Sequence, residues 1–287
     1  MPANSSWDLL LTGVVLYVLA FGYALVATLR GREHGRPVFY SFILAGFIAQ
    51  SAGLYLRGLE AHSLPISNGF ELLQALTWVT IFLLLVLRLT LGLKLLGLFT
   101  AGFAGLIGLC SLLLPGAAHP STALTNADNP WIEFHIALAL FSYGVFGLLA
   151  ITALMYLIQR HGLERKRFIG IFRLLPSLTE LDALNRQLLV VGVWALSFAV
   201  ALGALDWFGR PGVVSIGKLA VTIAVWAGYL FVGWLRWRKT LVAGPYAWSC
   251  VALFALAMFS LWPVARAGHM APATTTASPP APANSSK

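Results

Sequence analysis

Charged side chains are scarce in this sequence. Of its 287 residues, 10% are Asp, Glu, Lys or Arg and 59% are hydrophobic, whereas about a quarter of the residues in a typical soluble domain are charged. This composition excludes an ordinary soluble globular protein. It predicts an integral membrane protein, in which apolar side chains face lipid as well as the core.

Cysteine and the common catalytic motifs are also lacking. Cys110 and Cys250 are far apart in apolar runs, with no C-x-x-C pair and no Cys/His set at metal-ligand spacing. The sequence contains no G-x-S-x-G, no H-E-x-x-H and no phosphate-binding loop. We therefore expect two buried thiols and no catalytic constellation.

Long apolar runs make up most of the chain. A bilayer-spanning helix needs about 20 mainly apolar residues, and eight segments meet that requirement. They are approximately Asp8–Leu29, Val38–Leu56, Phe70–Leu89, Leu93–Leu114, Trp131–Ile158, Gln187–Leu205, Ile216–Leu235 and Ala243–Ala265. The pattern predicts an all-α, polytopic membrane helical bundle of about eight transmembrane helices over residues 1–269. A Pro/Ala/Ser/Thr-rich tail over residues 270–287 is predicted to be disordered.

The basic residues predict the orientation of this bundle. Fourteen of the 19 Lys and Arg residues fall in loops on one side of the predicted membrane, and an excess of basic residues marks the cytoplasmic side. Both termini are then outside, in a multi-pass protein of the bacterial inner membrane. Topology accounts for the net charge of +9, so membrane lipid is an expected partner and nucleic acid is not.

The basic segment from Arg160 to Arg186 is predicted to face the cytoplasm. Its middle has the composition of a short interfacial helix, and Ser177 with Glu180 forms a capping-box pattern just before the sixth apolar run. The segment has two interpretations: a contact surface for a cytoplasmic partner, or only a signal for membrane orientation.

Polar residues inside the apolar segments collect near the predicted outer face. They are Gln50, Arg57, Glu71, His135 and Lys218, and such residues in a membrane span mark functional sites by default because their burial is costly. For His135, a hydrogen bond to a carbonyl or to Glu71 competes with a ligand role. For Arg57 and Glu71, an ion pair between helices competes with a ligand role.

The surface of the fifth helix below His135 is also informative. Ala139, Ser142 and Phe146 follow at intervals that place them on the same helical face. Because Ala139 and Ser142 are small, another helix or a flat ligand can approach this face closely.

Several of these segments resemble the cytochrome c assembly membrane family, the CcsA/HemX/YpjD-like group. "FHIALALFSYGVFGLLAITALMYLIQ" is similar to the central helix of that family, with His135, Ser142 and Tyr143 in register. "SNGFELLQALTWVTIFLLL" resembles its Asn-x-x-Glu helix opening, which contains Glu71. "LPSLTELDALNRQLLVVGVWALSFAVALGAL" and "GKLAVTIAVWAGYLFV" resemble two later helices. The resemblance extends from about Phe39 to Trp262.

The resemblance implies haem handling at the outer face during cytochrome c assembly. In this sequence His135 matches the family's membrane histidine and becomes the expected axial ligand of a haem b iron. Gln50 and Ser142 are further expected contacts. Arg57 and Lys218 are expected near the haem propionates from their predicted depth. Other maturation subunits and apocytochrome c are the implied partners.

Two departures from the family pattern favour a different role. The tryptophan-rich W-G-x-x-W-x-W-D signature is lacking, and Arg236 appears where a second histidine is expected. Arginine stays protonated and is no ordinary haem ligand. These departures favour a HemX/YpjD-like accessory or regulatory protein without haem transfer. A transporter ranks third, since charges deep at the membrane midplane are lacking.

Overall fold

The computed structural model describes residues 4–30, 35–62, 64–66, 68–91, 95–114, 130–165, 175–209 and 216–266. Within these ranges the chain forms eight helices and no strands, which confirms the predicted all-α class. The helices are α1 Asn4–Leu29, α2 Arg36–Ala61, α3 Gly69–Leu91, α4 Leu96–Leu112, α5 Pro130–Glu164, α6 Leu178–Gly209, α7 Ile216–Trp237 and α8 Ala243–Arg266.

Six of the eight described helices are long and apolar enough to cross a membrane: α1, α2, α3, α5, α6 and α7. The other two contain shorter apolar helical segments, Leu96–Leu112 and Ala243–Phe259. At 1.5 Å per residue the first of these spans only about 26 Å, slightly less than the hydrocarbon core of about 30 Å. The chain is a multi-pass membrane protein, with six long spans among the described residues and two shorter apolar helices that complete the bundle.

Helix α6 begins earlier than the hydropathy pattern predicts, at Leu178 rather than Gln187. The capping box explains the difference. The backbone N–H of Glu180 donates to Ser177 Oγ at 3.2 Å, and the N–H of Ser177 donates to Glu180 Oε2 at 3.0 Å. These two bonds satisfy backbone donors that the first helical turn leaves open, so a polar turn can precede the apolar span.

The helices form two groups of four. In the first, α1 packs on α2 and α4, and α3 packs on α2 and α4; in the second, α5 packs on α6 and α8, and α7 packs on α6 and α8. Contacts of α3 with α5 and α8, and of α4 with α5, join the two groups. Helix α5 therefore lies centrally, with one face toward α6 and another toward α3.

Large apolar side chains cover the outside of the bundle. Leu44, Ile48, Leu106, Phe198 and Phe231 are each at least half exposed. A soluble monomer rarely exposes so many contiguous apolar groups, whereas a bilayer would cover them. The middle of the basic segment, predicted as an interfacial helix, and the tail predicted to be disordered over residues 270–287 lie outside the described ranges.

Candidate functional site

His135 lies in the second turn of α5 and contacts α6. Its Nδ1 is 2.6 Å from the carbonyl oxygen of Ala199, and the side chain is partly buried. A carbonyl can only accept, so Nδ1 carries the hydrogen in this contact. In the neutral ring the other nitrogen, Nε2, then keeps its lone pair, which is the form of histidine that binds a metal ion.

Glycines on α6 make room for the large side chains of the α5 face. A Cβ added at Gly203 would lie 2.7 Å from Cε1 of His135, and one added at Gly192 would lie 2.5 Å from Cε1 of Phe146. The Phe146 ring also stacks on Tyr229 of α7, with ring centroids 3.7 Å apart. The close approach predicted for this face is therefore made by a helix, α6.

Ser142 is fully buried on the same helix. Its hydroxyl donates to the carbonyl of Ala139 at 2.7 Å. The hydroxyl hydrogen is thus used within α5, and only the oxygen lone pairs remain for another group. Ser142 stays a predicted contact.

Arg57 and Glu71 form a buried ion pair between α2 and α3. Nη1 of Arg57 lies 3.2 Å from Oε1 of Glu71, and the side chains are 0% and 3% exposed. The guanidinium also lies over the Phe70 ring, 4.7 Å from its centroid, and the Glu71 N–H donates to Asn68 Oδ1 at 2.8 Å. Asn68 therefore caps α3, which gives the Asn-x-x-Glu segment a structural role.

Gln50 belongs to a buried chain of hydrogen bonds that crosses the first four helices. Its Oε1 accepts from the Tyr17 hydroxyl at 2.9 Å, and its Nε2 donates to Gln74 Oε1 at 2.7 Å. Nε2 of Gln74 in turn donates to Ser111 Oγ at 2.9 Å. The polar atoms of Gln50 are engaged inside the protein. Buried amides of this kind require such partners.

The remaining predicted residue, Lys218, lies in the first turn of α7, but its side chain is outside the described part of the structure. Arg236 at the other end of α7 is described in full. Its Nη2 donates to both carboxylate oxygens of Asp182, each at 2.7 Å, and its Nη1 donates to the Leu241 carbonyl at 2.8 Å. Arg236 thus ties the end of α7 to the start of α6.

The sequence reasoning missed a groove between α2, α3 and α5, about 560 Å³ in volume. Phe47, Trp78 and Phe82 stack beside it, with centroids 5.4 Å apart for Phe47–Trp78 and 5.7 Å for Trp78–Phe82. The Trp78 Nε1–H donates to Ser51 Oγ at 2.7 Å. The sequence contained a signal for this cluster. Phe47 and Ser51 are four residues apart, as are Trp78 and Phe82, so each pair lies on one face of its helix.

This groove and His135 lie on opposite faces of α5. Glu133, Ala137 and Phe141 line the groove, while His135 and Phe146 meet α6. At 100° per residue the two sets point in roughly opposite directions. Among the predicted polar side chains that the structure describes, Gln50, Arg57 and Glu71 have partners on α1 to α3, whereas His135 meets α6.

The sequence profile of the family described as Cytochrome C assembly protein matches residues 66–262, more than two thirds of the chain. The chain belongs to this family. HemX from Brevibacillus brevis is 28% identical over 168 residues, which cover 58% of this chain and 61% of that protein. HemX from Bacillus subtilis (strain 168) is 22% identical over 262 residues, 86% of this chain and 92% of that protein.

Proteins named for cytochrome c biogenesis also align with this chain, over segments of different lengths. CcsA from Trichodesmium erythraeum (strain IMS101), titled a cytochrome c biogenesis protein, is 33% identical over 108 residues. That alignment covers 37% of this chain and 31% of CcsA. The chain thus aligns over most of its length with both HemX and CcsA proteins.

Proposed function

We propose that this protein binds haem in the membrane during cytochrome c assembly, with His135 as an axial ligand. The observation that carries the proposal is the Nδ1 contact of His135 with the Ala199 carbonyl. Metal-ligating histidines commonly donate their second ring nitrogen to a carbonyl, which fixes the tautomer and the ring orientation. Helix α6 supplies that carbonyl, and Gly203 leaves space for the ring.

The donor chemistry at His135 fits haem better than a metal ion held by protein alone. Among the described residues, no three His, Cys, Asp or Glu side chains cluster as a metal site would require. A bound haem supplies four porphyrin nitrogens, so the chain needs to contribute only one or two axial ligands. His135 meets that smaller requirement through Nε2.

The other predicted contacts contribute to different degrees. Ser142 lies two turns below His135 and can offer oxygen lone pairs on the same helix. Lys218 and Arg57 are proposed near the propionates, where cations are favourable. Arg57 already neutralises Glu71, and Gln50 is already hydrogen-bonded. Unless those bonds rearrange, Arg57 and Gln50 would therefore support the site by holding α2 and α3 together rather than by contacting haem.

The orientation and location complete the proposal. His135, Arg57 and Glu71 lie at one end of the bundle, which we assign to the outer face of the bacterial inner membrane, with both termini outside. Haem b, other maturation subunits and apocytochrome c are the corresponding cofactor and partners. The family membership supports these assignments, because relatives are named for cytochrome c biogenesis.

An absorption spectrum of the purified full-length protein tests the proposal. We expect a Soret band from the protein produced with a supply of haem, and its loss in His135→Ala. His62→Ala is the matched control, since His62 is an exposed histidine beside the end of α2, and it should retain the band. A wild-type protein without haem, or a His135→Ala spectrum like wild type, would contradict the proposal.

The position of the ring can be tested separately. Gly203→Ala would place a methyl group against His135, so we expect a displaced ring and weaker haem retention. Gly22→Ala is the control, because a Cβ there meets nothing within 4 Å. Equal haem retention in the two glycine variants would contradict a ligand position that depends on the α5–α6 contact.

A second function is favoured by the Asp182–Arg236 contact. Arg236, at the place of the expected second histidine, is used to join α6 and α7. This arrangement, together with the nearly full-length alignment to HemX from Bacillus subtilis, favours an accessory or regulatory protein without haem transfer. A stably folded wild-type chain that binds no haem under saturating supply would support this second function over the first.

A further inference from the structure

A second groove lies at the opposite end of the bundle from His135. It runs between α6 and α7 and has a volume of about 1240 Å³. Leu189, Val193, Leu230 and Gly233 form its apolar wall. This groove is separate from the His135 contact and from the groove of α2, α3 and α5, and nothing in the proposed function uses it.

Tryptophans flank the groove on both helices. Trp194 on α6 is 63% exposed, and Trp234 and Trp237 on α7 are 49% and 77% exposed. Tryptophan rings of this kind collect where membrane hydrocarbon meets the headgroups. Trp234 and Trp237, at the end of α7, therefore place that end of the groove where a lipid changes from acyl chain to polar headgroup, while Trp194 lies deeper along α6.

The rim of the groove is positively charged. Arg186, Arg236 and Lys239 line it, and one carboxylate, Asp182, lies within ion-pair distance of both arginines, at 3.7 Å from Arg186 and 2.7 Å from Arg236. Two arginines next to one carboxylate, with Lys239 as a third cation on the rim, leave an excess of positive charge. Beside an apolar wall, that excess is complementary to a ligand with an anionic head and a hydrocarbon tail.

A polar atom within the wall adds an independent observation. Tyr229 lines the groove and is fully buried. Its hydroxyl has no hydrogen-bond partner among the described residues. Buried hydroxyl groups normally have a hydrogen-bond partner, so the Tyr229 hydroxyl is an unusual polar group in an otherwise apolar wall.

We propose that this groove binds an anionic phospholipid, with its headgroup at Arg186 and Lys239 and an acyl chain along Leu189, Val193 and Gly233. A zwitterionic phospholipid fits the apolar wall equally well but does not match the charge of the rim. The site therefore selects its lipid by headgroup charge rather than by chain.

Native mass spectrometry of the full chain in detergent tests the site. The protein is titrated with phosphatidylglycerol and with phosphatidylcholine of the same acyl chains. Basic residues near a membrane surface contribute about fivefold each to binding of anionic lipid. We expect wild type to prefer phosphatidylglycerol, and Arg186→Gln/Lys239→Gln to lose roughly 25-fold of that preference.

Two further variants keep the test specific. Arg36→Gln/Arg88→Gln removes the same charge from the first four helices and should leave the preference unchanged. Gly233→Leu fills the groove where an added Cβ makes only an ordinary 3.6 Å contact with Leu189, and it should reduce binding of both lipids. Equal binding of the two lipids by wild type, equal losses in the two charge variants, or full binding by Gly233→Leu would each overturn the proposal.

Discussion

Two arginine–carboxylate pairs stand at opposite ends of the bundle and differ in burial and geometry. Arg57 and Glu71 are almost completely buried, with Nη1 of Arg57 3.2 Å from Oε1 of Glu71. Arg236 and Asp182 are 19% and 20% exposed, with two contacts at 2.7 Å. The N–O distances of the more exposed pair are shorter than the 3.2 Å between Nη1 of Arg57 and Oε1 of Glu71.

In these two ion pairs, the degree of burial and the N–O distance do not vary together. Removing one partner of a buried pair leaves a charge without compensation, which is strongly destabilising even where the pair itself contributes little. At the Arg236 end, water and salt can reach the charges, so the favourable two-bond geometry has a smaller effect on stability.

The largest expected effect is at the buried pair. Arg57→Met leaves the Glu71 carboxylate uncompensated between α2 and α3, and we expect a loss of about 3–5 kcal/mol in the free energy of unfolding. Denaturant unfolding of the protein in detergent measures it. In the double variant Arg57→Met/Glu71→Leu most of the loss should be recovered. A double variant as unstable as the single one would show that other contacts of Arg57 dominate.

A smaller effect is expected at the pair between α6 and α7. Asp182→Asn retains a hydrogen-bond acceptor but removes the charge, and we expect a loss of about 1–2 kcal/mol. The loss should shrink in 1 M salt, where the screening length falls to about 3 Å, whereas the effect of Arg57→Met should not. If the stability losses of both variants depended equally on salt, burial would not distinguish the two ion pairs.

The smallest effect is expected at a third pair, Arg160–Glu164, one helical turn apart at the end of α5. The nitrogen and oxygen are 2.7 Å apart, but the side chains are 45% and 57% exposed. Glu164→Gln should leave the thermal unfolding midpoint unchanged within error, because exposed pairs add almost nothing measurable. A clear drop in the midpoint would mean that short distance outweighs exposure in this protein.

The positions of the helices could be predicted closely from local signals. Apolar runs identified all eight helices, and Ser177 with Glu180 marked the capping box that starts α6. The apolar run alone placed the start of this helix at Gln187, nine residues after the observed start at Leu178, whereas the capping box marked it correctly. Hydropathy detects the part of a helix that lies in lipid, and it does not detect a polar first turn.

The partners of the polar side chains could be predicted only in part. For His135 the sequence left a carbonyl, Glu71 and a ligand open, and the structure shows the carbonyl of Ala199, 64 residues away. For Arg57 and Glu71 the ion-pair interpretation matches the structure. The bond between Gln50 and Gln74 and the Asp182–Arg236 contact were missed, because they join distant segments without a local pattern.

By itself, the sequence determined that this is a helical membrane protein, since composition, apolar length and helix capping act over short stretches of chain. Its relation to the cytochrome c assembly family came from the resemblance of its motifs. The tertiary structure decided which face of α5 meets α6, why His135 is separated from the groove of α2, α3 and α5, and where Arg186 and Arg236 meet one carboxylate. Those features depend on how the helices pack against each other, and side-chain contacts between distant segments exist only once that packing is fixed.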